Sequence, residues 1–346
     1  MVVNNLSFLW LKKYYFLTNG FISDIELSNI FLWEMMKDLE GFAHQNIRGN
    51  TMKKRSVLLA FFLLLILFLS LFALPQPSPD KLKVYISVDI EGIGGVVSRM
   101  QTSGEEYQRF RRFMTQEVNA AIEGAFACGA TEVMVSDSHG SGQNILIEEL
   151  NKEVKLIRDW PRPLIMMEGI DETFDAVFLI GYHAKEGSRD ATLAHTMSGS
   201  RIFDIKLNGN SVPEAGFNGA IAGHFGVPVA LISGDQTIVA QAKEMLGDIE
   251  GVVVKEGIGT IAKTIHPEKA QKLIKEGAIR ALKRLNDFQP FKLQTPITLE
   301  ITFKDEVYAS LVGMLPGVKQ LDGRTISFTG KDMVEVSKFL SAILFL

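Results

Sequence analysis

From residue 83 onward, short β-rich apolar runs alternate with segments whose apolar residues recur at helical spacing. Strands are predicted over residues 83–88, 131–136, 176–180 and 227–232, with helical segments between them. Strands covered on both faces read as nearly continuous apolar runs, as these do. The alternation predicts an α/β fold, in which a mostly parallel sheet is flanked by helices.

End signals mark several of the predicted helices. Ser103 with Glu106 forms a capping-box pair that is expected to open the first long helix, and Gly129 is a natural stop for it. Asp235 is expected to cap a further helix that extends towards residue 246.

The pattern changes after residue 290. Predicted strands near residues 297–303 and 325–328 each precede a helical segment. This predicts a smaller C-terminal α+β portion over residues 291–346, serving as a lid or an oligomer contact. The preceding segment, residues 81–290, is expected to form the α/β domain that carries the chemistry.

Residues 52–80 have the layout of a targeting segment. Met-Lys-Lys-Arg at 52–55 precedes an apolar run over residues 57–74, broken only by Ser70, and a turn-rich linker follows. Such a run fits a cleaved signal peptide and is nearly long enough for a transmembrane anchor, so both stay open. Either one places the following domain outside the cytoplasm, secreted or membrane-anchored, whereas a leader without function leaves the chain cytoplasmic. Residues 1–51 show no clear period and are expected to be a doubtful or disordered extension.

Charge and cysteine content exclude some classes of partner. The chain has 36 Lys and Arg against 40 Asp and Glu, and its basic residues cluster only near Met52. Because nucleic-acid-binding proteins carry a basic patch or stripe, no nucleic-acid partner is expected. The single cysteine, Cys128, excludes an internal disulfide and is expected to be a small core residue.

Side chains that commonly bind metals follow three of the predicted strands. Asp89 and Glu91 follow the first strand and point the same way, because side chains alternate in an extended segment. His139 follows the second strand, with Asp137 in reserve, and His183 follows the third. Ligands bind at the carboxyl ends of the strands in open α/β sheets, and paired carboxylates there call for protons or a cation. Carboxylates with imidazoles favour Zn²⁺ or a similar first-row ion.

Each of these residues also has an ordinary interpretation. Asp89 and Glu91 could cap the following loop or pair with Arg99. His139 could be a turn histidine, and His183 a hydrogen-bonded histidine at a strand end. Four such residues at the ends of three successive strands favour metal binding over four separate coincidences.

Two more residues fit the same site. His195 lies in a polar, Gly-containing loop and is a candidate general base or oxyanion stabiliser, with a surface-loop histidine as the alternative. Glu214 begins a helix rich in small residues, where a carboxylate also commonly complements the helix dipole.

Several motifs occur in a fixed order along the chain. They are Ser-Val-Asp-Ile-Glu-Gly at 87–92, Ser-Asp-Ser-His-Gly at 136–140, Met-Glu-Gly-Ile at 167–170, Gly-Tyr-His-Ala at 181–184, His-Thr at 195–196 and Asn-Gly at 208–209 with Glu214. Together they resemble the zinc-dependent D-aminopeptidase family, self-compartmentalising metallopeptidases whose type member is encoded with dipeptide-transport genes. The resemblance extends from residue 81 to the C-terminus.

The resemblance implies a centre of two zinc ions in each subunit. It makes Asp89 the bridging carboxylate and assigns a catalytic role to His195, and the remaining ligands are Glu91, His139, His183 and Glu214. It also implies small peptides with an N-terminal D-residue, typically D-alanine, as substrates. The expected assembly is a homo-oligomer, a decamer in this family, that encloses the active sites.

The expected function is therefore hydrolysis of such peptides by a metal-dependent aminopeptidase. A metallo-phosphoesterase or another metal-dependent amidohydrolase is the alternative enzyme. A phosphoesterase should add a Lys/Arg cluster, and only Lys185 and Arg189 accompany the motifs. A non-catalytic peptide-binding protein would fit the leader. The apolar leader departs from the family pattern, and the charged loop between His183 and His195 bears on substrate preference.

Overall fold

A seven-stranded sheet forms the centre of the computed structural model, which describes residues 81–345. Its strand order is β3-β2-β1-β4-β7-β8-β9, and every neighbouring pair is parallel except β8 and β9. The strands are β1 (Lys83–Val88), β2 (Glu132–Asp137), β3 (Lys155–Ile157), β4 (Ala176–Tyr182), β7 (Val229–Asp235), β8 (Glu250–Ile258) and β9 (Ile261–Thr264). All seven residues of β4 are buried, as expected for a strand at the middle of a covered sheet.

A second sheet is antiparallel and has the order β11-β12-β10-β5-β6. Its strands are β5 (Ile202–Leu207), β6 (Asn210–Ser211), β10 (Ile297–Phe303), β11 (Val318–Gln320) and β12 (Thr325–Gly330). The hairpin of β5 and β6 turns at Asn208 and Gly209, both with positive φ, which is the turn expected for an Asn-Gly pair. Because β10 pairs with β5, the predicted boundary at residue 290 runs through a shared sheet.

Helices cover both faces of the seven-stranded sheet, and two more pack on the antiparallel sheet. The α-helices are α1 (Arg99–Thr102), α2 (Tyr107–Ala127), α3 (Glu214–His224), α4 (Gln236–Leu246), α5 (Pro267–Lys283), α6 (Glu306–Gly313) and α7 (Met333–Leu344). Of these, α6 and α7 contact strands β10 and β12 of the antiparallel sheet. In β8, a side chain at Gly251 would meet α4, while the adjacent Val252 contacts Gly277 of α5. Adjacent residues of a strand point to opposite faces, so α4 and α5 lie on opposite sides. The predicted fold, a mostly parallel sheet between helices, is confirmed.

The helix-capping prediction was wrong at one position. The capping box belongs to Ser98 and Gln101 at the start of α1, whereas α2 begins after Glu106 without a side-chain cap. The Glu106 carboxylate accepts a hydrogen bond from Gln101 instead of reaching back to Ser103. Cys128, expected in the core, is only partly buried at the end of α2. Asp235 caps α4 as predicted.

The predicted leader lies outside the described residues, as does the predicted extension over residues 1–51. Within residues 81–345, every helix is too short or too polar to cross a bilayer.

Candidate metal centre

Three neighbouring strands deliver the predicted ligands to one edge of the sheet. Val88 at the end of β1 pairs with Asp137 of β2 and with Ile180 of β4. The residues that follow these strands therefore leave the sheet together. Asp89 follows β1 directly, and His183 follows β4 directly.

Close backbone packing fixes the loop that carries Asp89 and Glu91. The Gly92 amide donates to the Gly181 carbonyl at 2.7 Å, and the Asp89 amide donates to the Ile180 carbonyl at 2.9 Å. A Cβ atom on Gly92 would lie 2.0 Å from the Tyr182 carbonyl oxygen, and one on Gly181 would lie 2.2 Å from the Asp89 carbonyl oxygen. Glycine at both positions is therefore required for the loop to lie against the end of β4.

The Asp89 carboxylate faces two histidines, one with each oxygen. Its Oδ1 lies 3.2 Å from His139 Nδ1, and its Oδ2 lies 3.4 Å from His183 Nε2. Glu91 Oε2 is 2.9 Å from the same His139 nitrogen, and Glu214 Oε2 is 3.4 Å from the same His183 nitrogen. The side chains thus form two groups that share Asp89.

The backbone determines which nitrogen each histidine presents. His139 Nε2 lies 3.3 Å from the Thr102 carbonyl, and His183 Nδ1 lies 3.0 Å from the Ala184 carbonyl. A carbonyl only accepts, so these two nitrogens carry the protons. The opposite nitrogens, which face the carboxylates, are then free to offer a lone pair to a metal ion.

Asp137, considered as a reserve ligand, holds the loop that carries His139. Its carboxylate accepts the Asn144 amide at 2.5 Å, the Asn144 side-chain amide at 2.6 Å and the Ile145 amide at 2.7 Å. Asn144 also donates to the His139 carbonyl at 2.6 Å. Burial raises the pKa of Asp137, and these hydrogen bonds oppose the rise.

Burial and charge act in opposite directions on the pKa values of the cluster. Burial favours the neutral acid of Asp89, but the facing imidazoles of His139 and His183 outweigh it and hold the pKa of Asp89 well below its usual range. Burial likewise favours neutral imidazoles, yet the facing carboxylates raise the pKa of both histidines well above the usual value. The cluster therefore stabilises positive charge, which is what a cation site needs.

The residues present fit a zinc centre. Asp89, Glu91, His183 and Glu214 are all at least 94% buried. Within residues 81–345, the buried Glu91 Oε2 and His183 Nε2 have no hydrogen-bond partner; the short Glu91–His139 contact lacks hydrogen-bond geometry. Asp89, Glu91 and His183 offer ligand atoms within 4.8 Å of one another. Buried carboxylate oxygens and imidazole nitrogens that converge without partners suit Zn²⁺.

His195 lies beside the second group. Its ring stacks on that of His183, with 4.0 Å between centroids and 9° between planes. Its Nδ1 lies 2.8 Å from the Leu193 carbonyl, so Nε2 is the nitrogen that faces Glu214 Oε1, at 3.8 Å. His183, His195 and Glu214 also offer ligand atoms within 4.8 Å of one another. The structure thus places all six predicted site residues in one cluster.

A cavity of about 190 Å³ opens onto the cluster, with Asp89, His139, His195 and Glu214 in its wall. The rest of the wall consists of Ser138, Gly140, Trp160, Ile165, Met166, Met197, Ser198, Arg201, Leu344 and Phe345. Ser138 and Gly140 belong to the motif at 136–140, but sequence reasoning missed the other residues, because the segments that carry them show no recognisable spacing.

A buried lysine lies beneath the loop that carries Glu91. Lys255 of β8 is 1% exposed, and its ammonium donates to the carbonyls of Glu91, of Val96 at 2.5 Å and of Ile93 at 3.4 Å. Glu117 of α2 accepts the Gly94 amide of the same loop at 2.9 Å. Sequence reasoning missed both residues.

Comparisons with known proteins point to a single family. The family model described as D-aminopeptidase, of the M55 peptidases, matches residues 82–342. A D-aminopeptidase of Bacillus subtilis (strain 168) is 34% identical over 261 residues, which cover 73% of this chain and 93% of the relative. The fold is similar to the solved structure of "Zn-dependent D-aminopeptidase DppA from Bacillus subtilis, a self-compartmentalizing protease", with a TM-score of 0.74, 32% identity and coverage of 77% of this chain and 97% of that one. These matches confirm the resemblance drawn from the motifs.

Proposed function

The chain belongs to the D-aminopeptidase family of metal-dependent aminopeptidases, and on that premise we propose that it hydrolyses short peptides with an N-terminal D-residue, of the D-alanine type, at a centre of two zinc ions. The observation that carries the two-ion proposal is the Asp89 carboxylate, whose oxygens face separate groups of ligands. A carboxylate placed in this way can bridge two cations.

The candidate ligands form two groups that share Asp89, and each group would hold one ion. Glu91 and His139 would complete the first site, and His183 and Glu214 the second. Zinc in such a site acts as a Lewis acid and lowers the pKa of water. The Met197 amide donates to Glu214 Oε1 at 2.6 Å, which orients that carboxylate so that Oε2 faces His183.

His195 is placed to move a proton. Because its Nδ1 is engaged by the Leu193 carbonyl, its Nε2 is the accepting nitrogen in the neutral ring. The stack on His183 fixes the plane of the ring at the cavity wall. We assign to Nε2 the proton transfer from the attacking water to the leaving amine, or a hydrogen bond to the developing oxyanion.

The remaining wall of the cavity suits a small peptide rather than a phosphate ester. Its lining is rich in apolar side chains, among them Trp160, Ile165 and Met166. Arg201 is the only lysine or arginine among the lining residues, whereas a phosphoesterase site draws on several cations.

The assembly is also part of the proposal. The solved relative is described as self-compartmentalizing, and we propose that this chain also assembles as a homo-oligomer, a decamer.

The site of action is part of the proposal. The charged and apolar layout of residues 52–80 supports export, by a cleaved signal peptide or a retained anchor, with the catalytic part outside the cytoplasm. Protease treatment of intact cells that express the full chain with a C-terminal tag tests this. Loss of the tag is expected, and a protected tag in intact cells contradicts export.

Turnover of matched peptides tests the proposed reaction. The zinc-loaded full chain is expected to release alanine from D-Ala-D-Ala faster than from L-Ala-L-Ala, to lose turnover with a chelator and to regain it with Zn²⁺. Asp89→Asn should abolish turnover, whereas Glu153→Gln, at an exposed carboxylate outside the cluster, should not. Equal rates on both enantiomers would refute the D-specificity, and activity that survives chelation would refute the metal mechanism.

A further inference from the structure

An arginine lies in the wall of the same cavity that contains the carboxylate cluster. Arg201 lines this cavity together with Asp89 and Glu214. Among residues 81–345, no carboxylate lies within ion-pair distance of its guanidinium, although most arginines of α2 and α5 have such partners. A cation that has no carboxylate partner among these residues and lies in a substrate cavity is placed to receive a negative group of the ligand.

Neighbouring groups hold the guanidinium in place without neutralising it. Its Nη2 donates to the Leu344 carbonyl at 2.5 Å, and its Nε donates weakly to Ser198 Oγ at 3.4 Å. The group also lies 5.7 Å from the centroid of the Tyr308 ring. These contacts occupy Nη2 and Nε, and Nη1 has no partner among the described residues. The side chain is thus pre-oriented, which lowers the entropic cost of binding a ligand.

The loop between His195 and Arg201 sets the distance from the guanidinium to the cluster. Met197 contacts Glu214 through its amide, and the next residue, Ser198, contacts Arg201. Through these two contacts, the guanidinium lies within about 13 Å of the Glu214 carboxylate. A peptide of about four extended residues or fewer spans this distance. A short peptide can therefore reach both ends of this distance at once.

We infer that Arg201 binds the C-terminal carboxylate of the substrate, so that the enzyme selects free peptides of about two to four residues. This inference rests on the proposed aminopeptidase function and adds the feature that sets substrate length. The scissile bond lies at the carboxylate cluster, and the terminal carboxylate pairs with Nη1 of Arg201. Longer peptides and peptides with a blocked C-terminus lose this contact.

The experiment compares two peptides that share one scissile bond, D-Ala-D-Ala and its C-terminal amide. The enzymes are the zinc-loaded full-chain wild type, Arg201→Gln, Arg201→Lys and the matched control Arg109→Gln, which changes an exposed arginine of α2 outside the cavity. The wild type is expected to prefer the free acid. Arg201→Gln should lower kcat/KM for the acid by about 10- to 100-fold, mainly through KM, and change that for the amide by less than about threefold, as expected for loss of a charge-assisted pair.

The two peptides separate this role from a structural one. A wall that is merely distorted by the loss of the Leu344 contact would lower turnover of both peptides equally, and that result overturns the inference. Equal rates of the wild type on acid and amide overturn it as well, while leaving the aminopeptidase function intact. Arg201→Lys should recover part of the loss on the acid, and Arg109→Gln should match the wild type. If the wild type cleaves neither peptide, the proposed function itself fails, and the inference falls with it.

Discussion

Replacing Lys255 by methionine tests how the loop that carries Glu91 is held. The ammonium of Lys255 donates to three carbonyls of this loop and lies 1% exposed between the sheet and α2. Methionine keeps most of the apolar stem and removes every donor. The change should weaken zinc binding more than it weakens the fold.

The structure gives the magnitudes. Two carbonyls, those of Glu91 and Val96, lose a close donor, and each buried acceptor left without one costs about 1–3 kcal/mol. Burial of the ammonium lowers the pKa of Lys255 from 10.5 to about 8, so at pH 7 the folded state carries a charge-burial cost of about 3 kcal/mol. Removing the charge recovers this amount. The expected net change in unfolding free energy is therefore small, between a gain of about 1 kcal/mol and a loss of about 3 kcal/mol.

Zinc affinity is the decisive measurement. Removing a residue that supports a metal ligand typically costs about 10- to 100-fold in affinity or activity, and we expect this range for Lys255→Met. Titration of the full chain with Zn²⁺ against a chromophoric chelator measures it, and Lys263→Met, at an exposed lysine of β9, is the matched control. A folded Lys255→Met variant that binds zinc within about threefold of the wild type would refute the positioning role.

Three further predictions concern the cluster and the group that supports its loop. Asp89→Asn should lose both zinc ions, while Glu91→Gln should retain one; metal analysis distinguishes these results, and equal retention contradicts the shared carboxylate. His195→Ala should keep its zinc and lose about 10²- to 10⁴-fold in kcat, so near-normal turnover would reject its catalytic role. Burial raises the pKa of Glu117 to about 8 from an ordinary 4.5, so its contribution to stability is complete below pH 4.5 and is lost as pH rises through 8. Glu117→Gln should therefore reduce the fall in unfolding free energy between pH 5 and 8, measured by urea titration at each pH. This pH window lies below the one in which Lys255 titrates. An unchanged slope of unfolding free energy against pH would contradict the prediction.

Local signals predicted the fold and the place of the principal candidate ligands. Asp89 was predicted from its position at the end of a buried strand, and Glu91 from the alternation that puts its side chain on the same side. Both rules depend on a few consecutive residues, so they can be applied to the sequence alone. His139 and His183 follow from the same strand-end rule applied to β2 and β4. The seven-stranded order itself needed the structure, since β8 and β9 carry weaker patterns.

Contacts between distant parts of the chain account for what the sequence did not show. Lys255 reaches Glu91 across 164 positions, and no local pattern reports such a contact. Arg201 became a candidate only when the C-terminal helix placed Leu344 beside it. Asp137 looked like a ligand because of its residue type, but its carboxylate turned towards the backbone amides of its own loop. The proposed bridging role of Asp89 depends on the direction of each carboxylate oxygen, which spacing does not encode.

Anomalous diffraction at the zinc edge, on crystals of the zinc-loaded full chain, is the most direct test of the two-ion centre. We expect two peaks, one bounded by Asp89, Glu91 and His139, and the other by Asp89, His183 and Glu214. A single peak, or no peak at this cluster under saturating zinc, would contradict the proposed centre.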